Sequence, residues 1–395
     1  MTDDPRDILL SYAARISAVV LDRLGKENVE SIFVSGGTAR NDVAAFRGPS
    51  GIEIYSDLDL FVVARRTADL DIDRGHARHA ADCVPRRGEN WTIFPEPDIG
   101  VFSQRDFFGQ KTRPGTAEIA DANVVLHGGD EIPSKARKFD AAEIDPLEAL
   151  YLLENRLGDI AVLADRLERA ESDGFRRYVR YVLLKSCLDA GTAILIVLGL
   201  FHPSRAERMR RLRDVQSRGD YHHLIPEGAF TRLEKCDRDL LRLQEAFETD
   251  SGADPASIRD AGWFLLEAWR RMAEFVSHLP TDDWSVLFEW RCKSGRWVGN
   301  ARELSVLARR KSIPRVRVLR RARRLARLSP VDAVRLSGAA ATLAAIERSG
   351  VATGALRGRE NKGGYLDVLD ELTRVYGYTT GDVFARARRM SEETA

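Results

Sequence analysis

The sequence predicts an α/β segment followed by a mainly α-helical region, an α+β architecture overall. Three observations predict it: the hydrophobic period is helical over residues 5–25, breaks into short strand-like runs between 31 and 127, and returns to helical spacing from Pro146 onward. At roughly 150 residues per domain, a chain of 395 residues holds two or three domains, each large enough to bury a core. Hydrophobic residues at 44% and charged residues at 31% exclude fibrous and low-complexity classes.

The elements come in the following order. Ile8, Leu9, Ala13, Ile16, Val20 and Leu24 recur at helical spacing, and Gly25 stands where a C-cap is expected. Ser31 to Ser35 reads as a buried strand, Gly36-Gly37 as a turn, and Thr38 to Phe46 as a helix broken by Gly48-Pro49-Ser50-Gly51. Ile52 to Val63 reads as one strand with a polar face. Asp73 to Cys83 reads as a helix, Trp91 to Phe94 with Ile99 to Phe102 as a proline-interrupted strand, and Val124 to His127 as another strand. Asp145-Pro146 supplies an N-cap and a first-turn proline, which places a boundary there. Beyond it, helical patterns run from Pro146 to about Arg180, Tyr181 to Leu200, Ser204 to Arg218, Phe230 to Thr249 and Ala256 to His278. The expected division is therefore 1–144, 145–296 and 297–395.

Charge narrows the classes further. The formal net charge is only +1, so it calls for neither a nucleic-acid nor a membrane partner. It is segregated, however: Arg302 to Arg327 carries eleven Lys or Arg against Glu303 alone, which is +10, leaving −9 for the rest. That stretch suits RNA phosphates, the triphosphate or a negatively charged protein surface, or reflects arginine-rich composition alone; its apolar residues suggest amphipathic helices with one packed face. The longest apolar run, Ala190 to Phe201, is too short to span a bilayer and reads as a core helix. Four dispersed cysteines and an acidic start without a leader pattern fit a cytoplasmic protein.

The chemistry concentrates in Ser35-Gly36-Gly37-Thr38-Ala39-Arg40 and in Ser56-Asp57-Leu58-Asp59-Leu60, whose Asp57 comes twenty residues after Gly37. On a strand, Asp57 and Asp59 share a face about 7 Å apart, and Leu58 and Leu60 point to the core. Such hard oxygen ligands suit Mg²⁺. Side-chain-free Gly36-Gly37 lets backbone N–H groups approach phosphate oxygens. Asp98 is the candidate third carboxylate and general base, with Glu96 as the alternative. Two other groups read as structural: His76, His79 and Cys83 as a solvated helix face, and Asp69, Asp71 and Asp73 as helix-start carboxylates. His222 and His223 read as surface residues, and Trp263, Trp269, Trp284, Trp290 and Trp297 as core or interface anchors.

These residues resemble the DNA polymerase beta-like nucleotidyltransferase superfamily, whose signature is a hydrophobic strand, Gly-Gly or Gly-Ser, an alternating Asp-x-Asp strand and a later acidic residue. The resemblance spans roughly residues 28–130. It implies a mixed sheet flanked by helices, two Mg²⁺ ions (Mn²⁺ a possible substitute) on Asp57, Asp59 and Asp98, and nucleoside monophosphate transfer from an NTP to a hydroxyl acceptor. It further implies nucleotide contacts from Ser35, Gly36, Gly37, Thr38, Arg40 and Ser56. Gly37 stands where many members carry a serine, leaving Thr38 as the nearest hydroxyl. A helical domain that closes over the nucleotide is common in the superfamily, often with a lysine on the triphosphate. Lys185 is the candidate, with Arg177 and Arg180 behind it, and a salt bridge to Asp189 at i+4 is the structural alternative. A small-molecule acceptor is expected first, then tRNA or protein through Arg302 to Arg327, then second-messenger synthesis. The reading from another class is a non-catalytic nucleotide-binding partner protein.

Overall fold

The computed structural model describes residues 4–48, 51–65, 76–77, 79–136, 140–167, 172–219, 221–226, 228–245, 252–279, 281, 286–287, 290–291 and 294. The section expected at 297–395, with its basic run, lies outside the described residues, as do Asp69, Asp71 and Asp73.

Helix α1 (Pro5–Leu24) starts on Asp4, whose carboxylate accepts the N–H of Arg6, and stops at Gly25 with φ 83°. Its apolar stripe of Leu9, Ala13, Ile16 and Val20 is fully buried. The stripe covers one face of a four-stranded mixed sheet built from β1 (Val29–Ser35), β4 (Asp59–Ala64), β6 (Asp98–Ser103) and β7 (Asn123–His127). Across the sheet the order is β6-β4-β1-β7; β1 runs antiparallel to β4 and β7, and β4 runs parallel to β6. Because strand side chains alternate, Ile32, Val34, Leu60 and Val62 meet α1. On the opposite face Phe33 and Val63 pack with Phe107, Ile119 and Ile132. Phe33 and Phe61, opposite each other in the β1–β4 register, stack at 5.4 Å.

A second, three-stranded sheet has the order β2-β3-β5: β2 (Ala45–Gly48), β3 (Gly51–Ile54) and β5 (Trp91–Ile93). It corrects two expectations. Thr38 to Phe46 is not a helix: α2 is the single turn Gly36–Ala39, and residues from Ala45 form a hairpin with β3. Nor is Ile52 to Val63 one strand. The chain leaves the second sheet after Ile54, crosses at Tyr55 to Leu58, and enters the first sheet at Asp59. The prolines likewise separate Trp91 to Phe94 from Ile99 to Phe102, which pair in different sheets. Val124 to His127 is a strand as expected.

Helices then dominate: α3 (Pro114–Asp121) precedes β7, and α4 (Leu147–Leu167), α5 (Asp173–Val197), α6 (Arg205–Arg218), α7 (Ala229–Glu245) and α8 (Pro255–Ser277) come after it. The N–H of Leu147 donates to Asp145, as the Asp-Pro start predicts. The division expected near Arg180 lies earlier. Ser172 caps α5, which then runs 25 residues unbroken, its Ala190 to Val197 segment buried in the largest core. Against it pack Leu153 and Leu157 of α4 and Leu265, Trp269 and Met272 of α8. No helix among the described residues is long and apolar enough to cross a membrane.

Candidate active site

A cleft of about 780 Å³ separates the edge of the first sheet from α4, α5 and α6. Asp59 and Asp98 are the first residues of neighbouring parallel strands and are partners in register. Two carboxylates on adjacent strands thus reach the same sheet edge, and Asp57 joins them from the crossing segment. All three line the cleft, as do Gly37, Arg40, Ser56, Glu96 and Lys185.

Gly36, next to Asp59, is fixed by sterics and by backbone. It comes directly after β1 at φ 71°, and a Cβ there would lie 2.5 Å from Asp59 Oδ2. A Cβ on Gly37 would meet the carbonyl oxygen of Asp42 at 3.4 Å, an ordinary contact. Three hydroxyls expected near the nucleotide are engaged in holding the frame. Ser35 donates to the carbonyl of Ala122 (3.0 Å), and Thr38 to that of Asp57 (3.3 Å). Ser56 accepts the N–H of Ala44 at 2.7 Å. Each fastens one part of the site to its neighbour; of the three, only Ser56 lines the cleft. Arg6 pins the end of α2 by donating to the carbonyls of Thr38 and Ala39.

Lys185 pairs with Asp57 across the cleft rather than with Asp189, which accepts from Arg156 Nε at 2.6 Å. The expected need of a buried lysine for an anion is met, but by a residue distant in sequence. Of the weaker candidates, Arg177 is taken up by Glu53 (2.9 Å) and Tyr55, and Arg180 faces Asp239 (3.7 Å).

The carboxylates have been driven apart electrostatically. Burial raises Asp57, but the ammonium of Lys185 outweighs it and holds the carboxyl below its ordinary range. Burial pushes Asp59 up to about 7, helped by the charge of Asp57 and opposed by Lys185. A carboxylate so disfavoured suits an incoming cation. No group of three carboxyl, imidazole or thiol side chains is already closed around one point among the described residues. The donor set is nonetheless all hard oxygen, on a fixed strand edge, and chemically fits Mg²⁺.

Several lining residues had no sequence motif. Arg156 and Asp159 come from α4, and Tyr178, Tyr181 and Asp189 from α5. Glu118 of α3 and Arg208 of α6 close the other end. The available signal was spacing: Tyr178, Tyr181, Lys185, Asp189 and Thr192 recur at three or four residues, one polar stripe on an otherwise apolar helix. His76 and His79 are exposed, and Cys83 is an exposed free thiol near Arg23. His222 and His223 are exposed as well; Trp269 is fully buried in the core, Trp263 and Trp290 pack partly buried against it, and Trp284 and Trp297 lie outside the described residues.

No family model matches the chain, and no curated protein resembles it closely enough to match.

Proposed function

We propose that the protein is a divalent-metal-dependent nucleotidyltransferase, moving a nucleoside monophosphate from an NTP to a hydroxyl acceptor. The observation that carries this reading is the Asp59–Asp98 register pair beside Gly36-Gly37, with Asp57 alongside and Lys185 opposite. Asp57, Asp59 and Asp98 would hold Mg²⁺, or Mn²⁺ in its place. Bound there, such ions lower the pKa of a hydroxyl and neutralise developing phosphate charge.

The residues divide the remaining work. The N–H groups at the Gly36-Gly37 turn meet the phosphates, while Lys185 exchanges Asp57 for a phosphate oxygen. Asp98, the most exposed of the carboxylates, takes the acceptor's proton. The acceptor oxygen then bonds to the α-phosphorus, the bond from that phosphorus to the α–β bridging oxygen breaks, and pyrophosphate departs with the electron pair. Tyr178, Tyr181, Asn155 and Asp159 give the helical wall a polar lining suited to a small, hydroxyl-bearing acceptor. A cytoplasmic setting, where NTP and Mg²⁺ are abundant, goes with this reading. An RNA or protein acceptor would draw on Arg302 to Arg327.

The test is incubation with Mg²⁺ and each α-³²P-labelled NTP, with and without cell extract, for wild type and Asp57→Ala/Asp59→Ala. Label in a new product from the wild type alone is the expected result. Mg²⁺-dependent NTP binding without label transfer from any NTP into any extract fraction would favour a non-catalytic nucleotide-binding protein.

A further inference from the structure

The seam between α5 and α7 carries two thiols that the proposed reaction does not use. As α5 runs from Arg180 to Gly191, its partners on α7 run back from Asp239 to Leu233. Arg180 Nη2 faces Asp239 Oδ2 at 3.7 Å, and a Cβ on Gly191 would lie 3.2 Å from Leu233 Cδ1. Between these two contacts lie Cys187 of α5 and Cys236 of α7, both free thiols buried in the largest core. Their sulfurs are in hydrogen-bond contact, Cys236 donating to Cys187. A disulfide needs Cα atoms within about 7 Å, and Gly191, one turn beyond Cys187, has no side chain to hold the two helices apart.

A buried cysteine is ordinarily a small apolar residue, inert because it holds its proton. This pair has a cation beside it. Arg232, one turn before Cys236, donates to Cys187; it also pairs with Asp260 of α8 at 2.8 Å and lies over the Phe264 ring. Donation from Cys236 and the charge of Arg232 hold the Cys187 thiol below its ordinary value against the opposing effect of burial. The same hydrogen bond, with burial, pushes Cys236 up. One sulfur is thus prepared to attack, and the other stands ready to resolve what the attack forms. The pair lies beneath a side chain that reaches solvent: Arg232 is 26% exposed.

We propose that Cys187 and Cys236 are a reversible oxidation site, closed by hydrogen peroxide to a disulfide that pins α7 to α5 and reopened by thiols. The Cys187 thiolate attacks one peroxide oxygen, the O–O bond breaks, and hydroxide leaves and takes up the proton that Cys187 gave up. The Cys236 sulfur then attacks the resulting sulfenic acid at sulfur, the S–O bond breaks, and water leaves with the second thiol's proton. Two thiols lose two electrons, and peroxide is reduced to two waters. Lys185 and Leu188 of α5 and Leu240 of α7 line the cleft, so the bond forms directly behind one of its walls. The site stands whether or not the cleft transfers nucleotides.

The experiment treats the folded full chain with hydrogen peroxide, as wild type and as Cys83→Ser/Cys292→Ser, which keeps the pair as its only cysteines. Intact mass and non-reducing peptide maps are followed over time, then again after dithiothreitol. The expected product has lost two hydrogens, joins the Cys187 and Cys236 peptides, returns to the dithiol with dithiothreitol, and melts about 5 °C or more above the reduced form. Arg232→Gln, shown by thermal unfolding to be folded, should form the link about tenfold more slowly, because the thiolate loses its cation. Thiols that stay unmodified at peroxide levels that oxidise the exposed Cys83 of wild type overturn the site. So does a link that forms only in urea, or sulfinic acid on either sulfur without a link. An unchanged rate in folded Arg232→Gln overturns the activation of Cys187 by that guanidinium.

Discussion

At the scale of single residues, the glycine turn gives the sharpest contrast. Gly36 has a positive φ and a carboxylate oxygen where its Cβ would go, whereas the Cβ position of Gly37 meets only two atoms of Asp42, both at ordinary contact distances. Gly36→Ala should therefore cost about 1–3 kcal/mol of stability and displace Asp59. Gly37→Ser should fold with an unchanged melting temperature, and calorimetry of the two variants checks the contrast. Asp59 carries a pH signature. Its carboxyl sits near 7 when folded and near the ordinary aspartate value when unfolded, so the folded state binds the extra proton. Its contribution favours folding at acid pH and is lost as pH rises through about 7. Metal-free wild type should thus lose melting temperature between pH 5.5 and 8, relative to Asp59→Asn, in which this slope is absent. Mg²⁺ must displace the same proton, so the Mg²⁺-induced rise should be larger at pH 8 than at pH 6. Equal Mg²⁺ shifts at both pH values would rule out Asp59 as a ligand that titrates in this range.

At the scale of elements, the sheet edge and the helical wall meet through a few long side chains. Lys185 of α5 grips Asp57 just before β4, and Arg177, two turns earlier, grips Glu53 of β3. Lys185→Met should leave Asp57 without its strongest partner, raise that carboxyl, and lower kcat/KM for label transfer by 10²-fold or more, about 3 kcal/mol. Arg177→Met, remote from the metal carboxylates, should instead lower stability by about 1–3 kcal/mol with kcat/KM little changed. Thermal unfolding and initial rates on both variants separate the two roles. Much of this was legible beforehand. Ser31 to Ser35, the glycine turn, and α6 to α8 come directly from period and caps; the Asp57, Asp59 and Asp98 grouping was read from alternation plus an acidic residue opening a later strand, yet Asp57 reaches the cleft from the crossing segment and not from the strand. The crossing at Tyr55 to Leu58 was hidden because Ser56 to Leu60 alternates as well in a linker between sheets as in a strand. The break between α4 and α5 was hidden because charged residues recur along the sequence from Arg166 to Arg180, and the Ser172 cap is the signal that marks it. Lys185's partner could not be read at all: i+4 proximity favoured Asp189, and the outcome was decided by Arg156, a residue 33 positions away from Asp189.

At the scale of the whole molecule, one buried ion pair ties the end of the described chain to the centre of the helical core. Glu154 of α4 and Arg291 are both fully buried, with Nε to Oε1 at 2.8 Å and Nη2 to Oε2 at 3.0 Å. Trp269 of α8 donates its indole N–H to the same carboxylate at 3.1 Å, and the guanidinium lies over the ring of Tyr151. An ion pair without solvent adds little net stability compared with apolar residues, but removing one partner strands the other charge. Ending the chain after residue 281 should therefore destabilise the remainder by about 3–5 kcal/mol, even though α8, the last long helix among the described residues, is retained intact. The cause is separable from simple loss of chain. Glu154→Gln removes the stranded charge while keeping a carbonyl for Trp269, so in the truncated protein it should restore part of the lost stability. In the full chain the same substitution should destabilise, because it strands Arg291 instead. Opposite signs for one substitution in the two chain lengths, measured by chemical unfolding, would establish that this pair makes residues beyond α8 part of the cooperative core. Equal signs would place the stabilisation elsewhere and leave α4 and α5, which line the cleft, and α8, which shares their core, stable without the residues beyond 281.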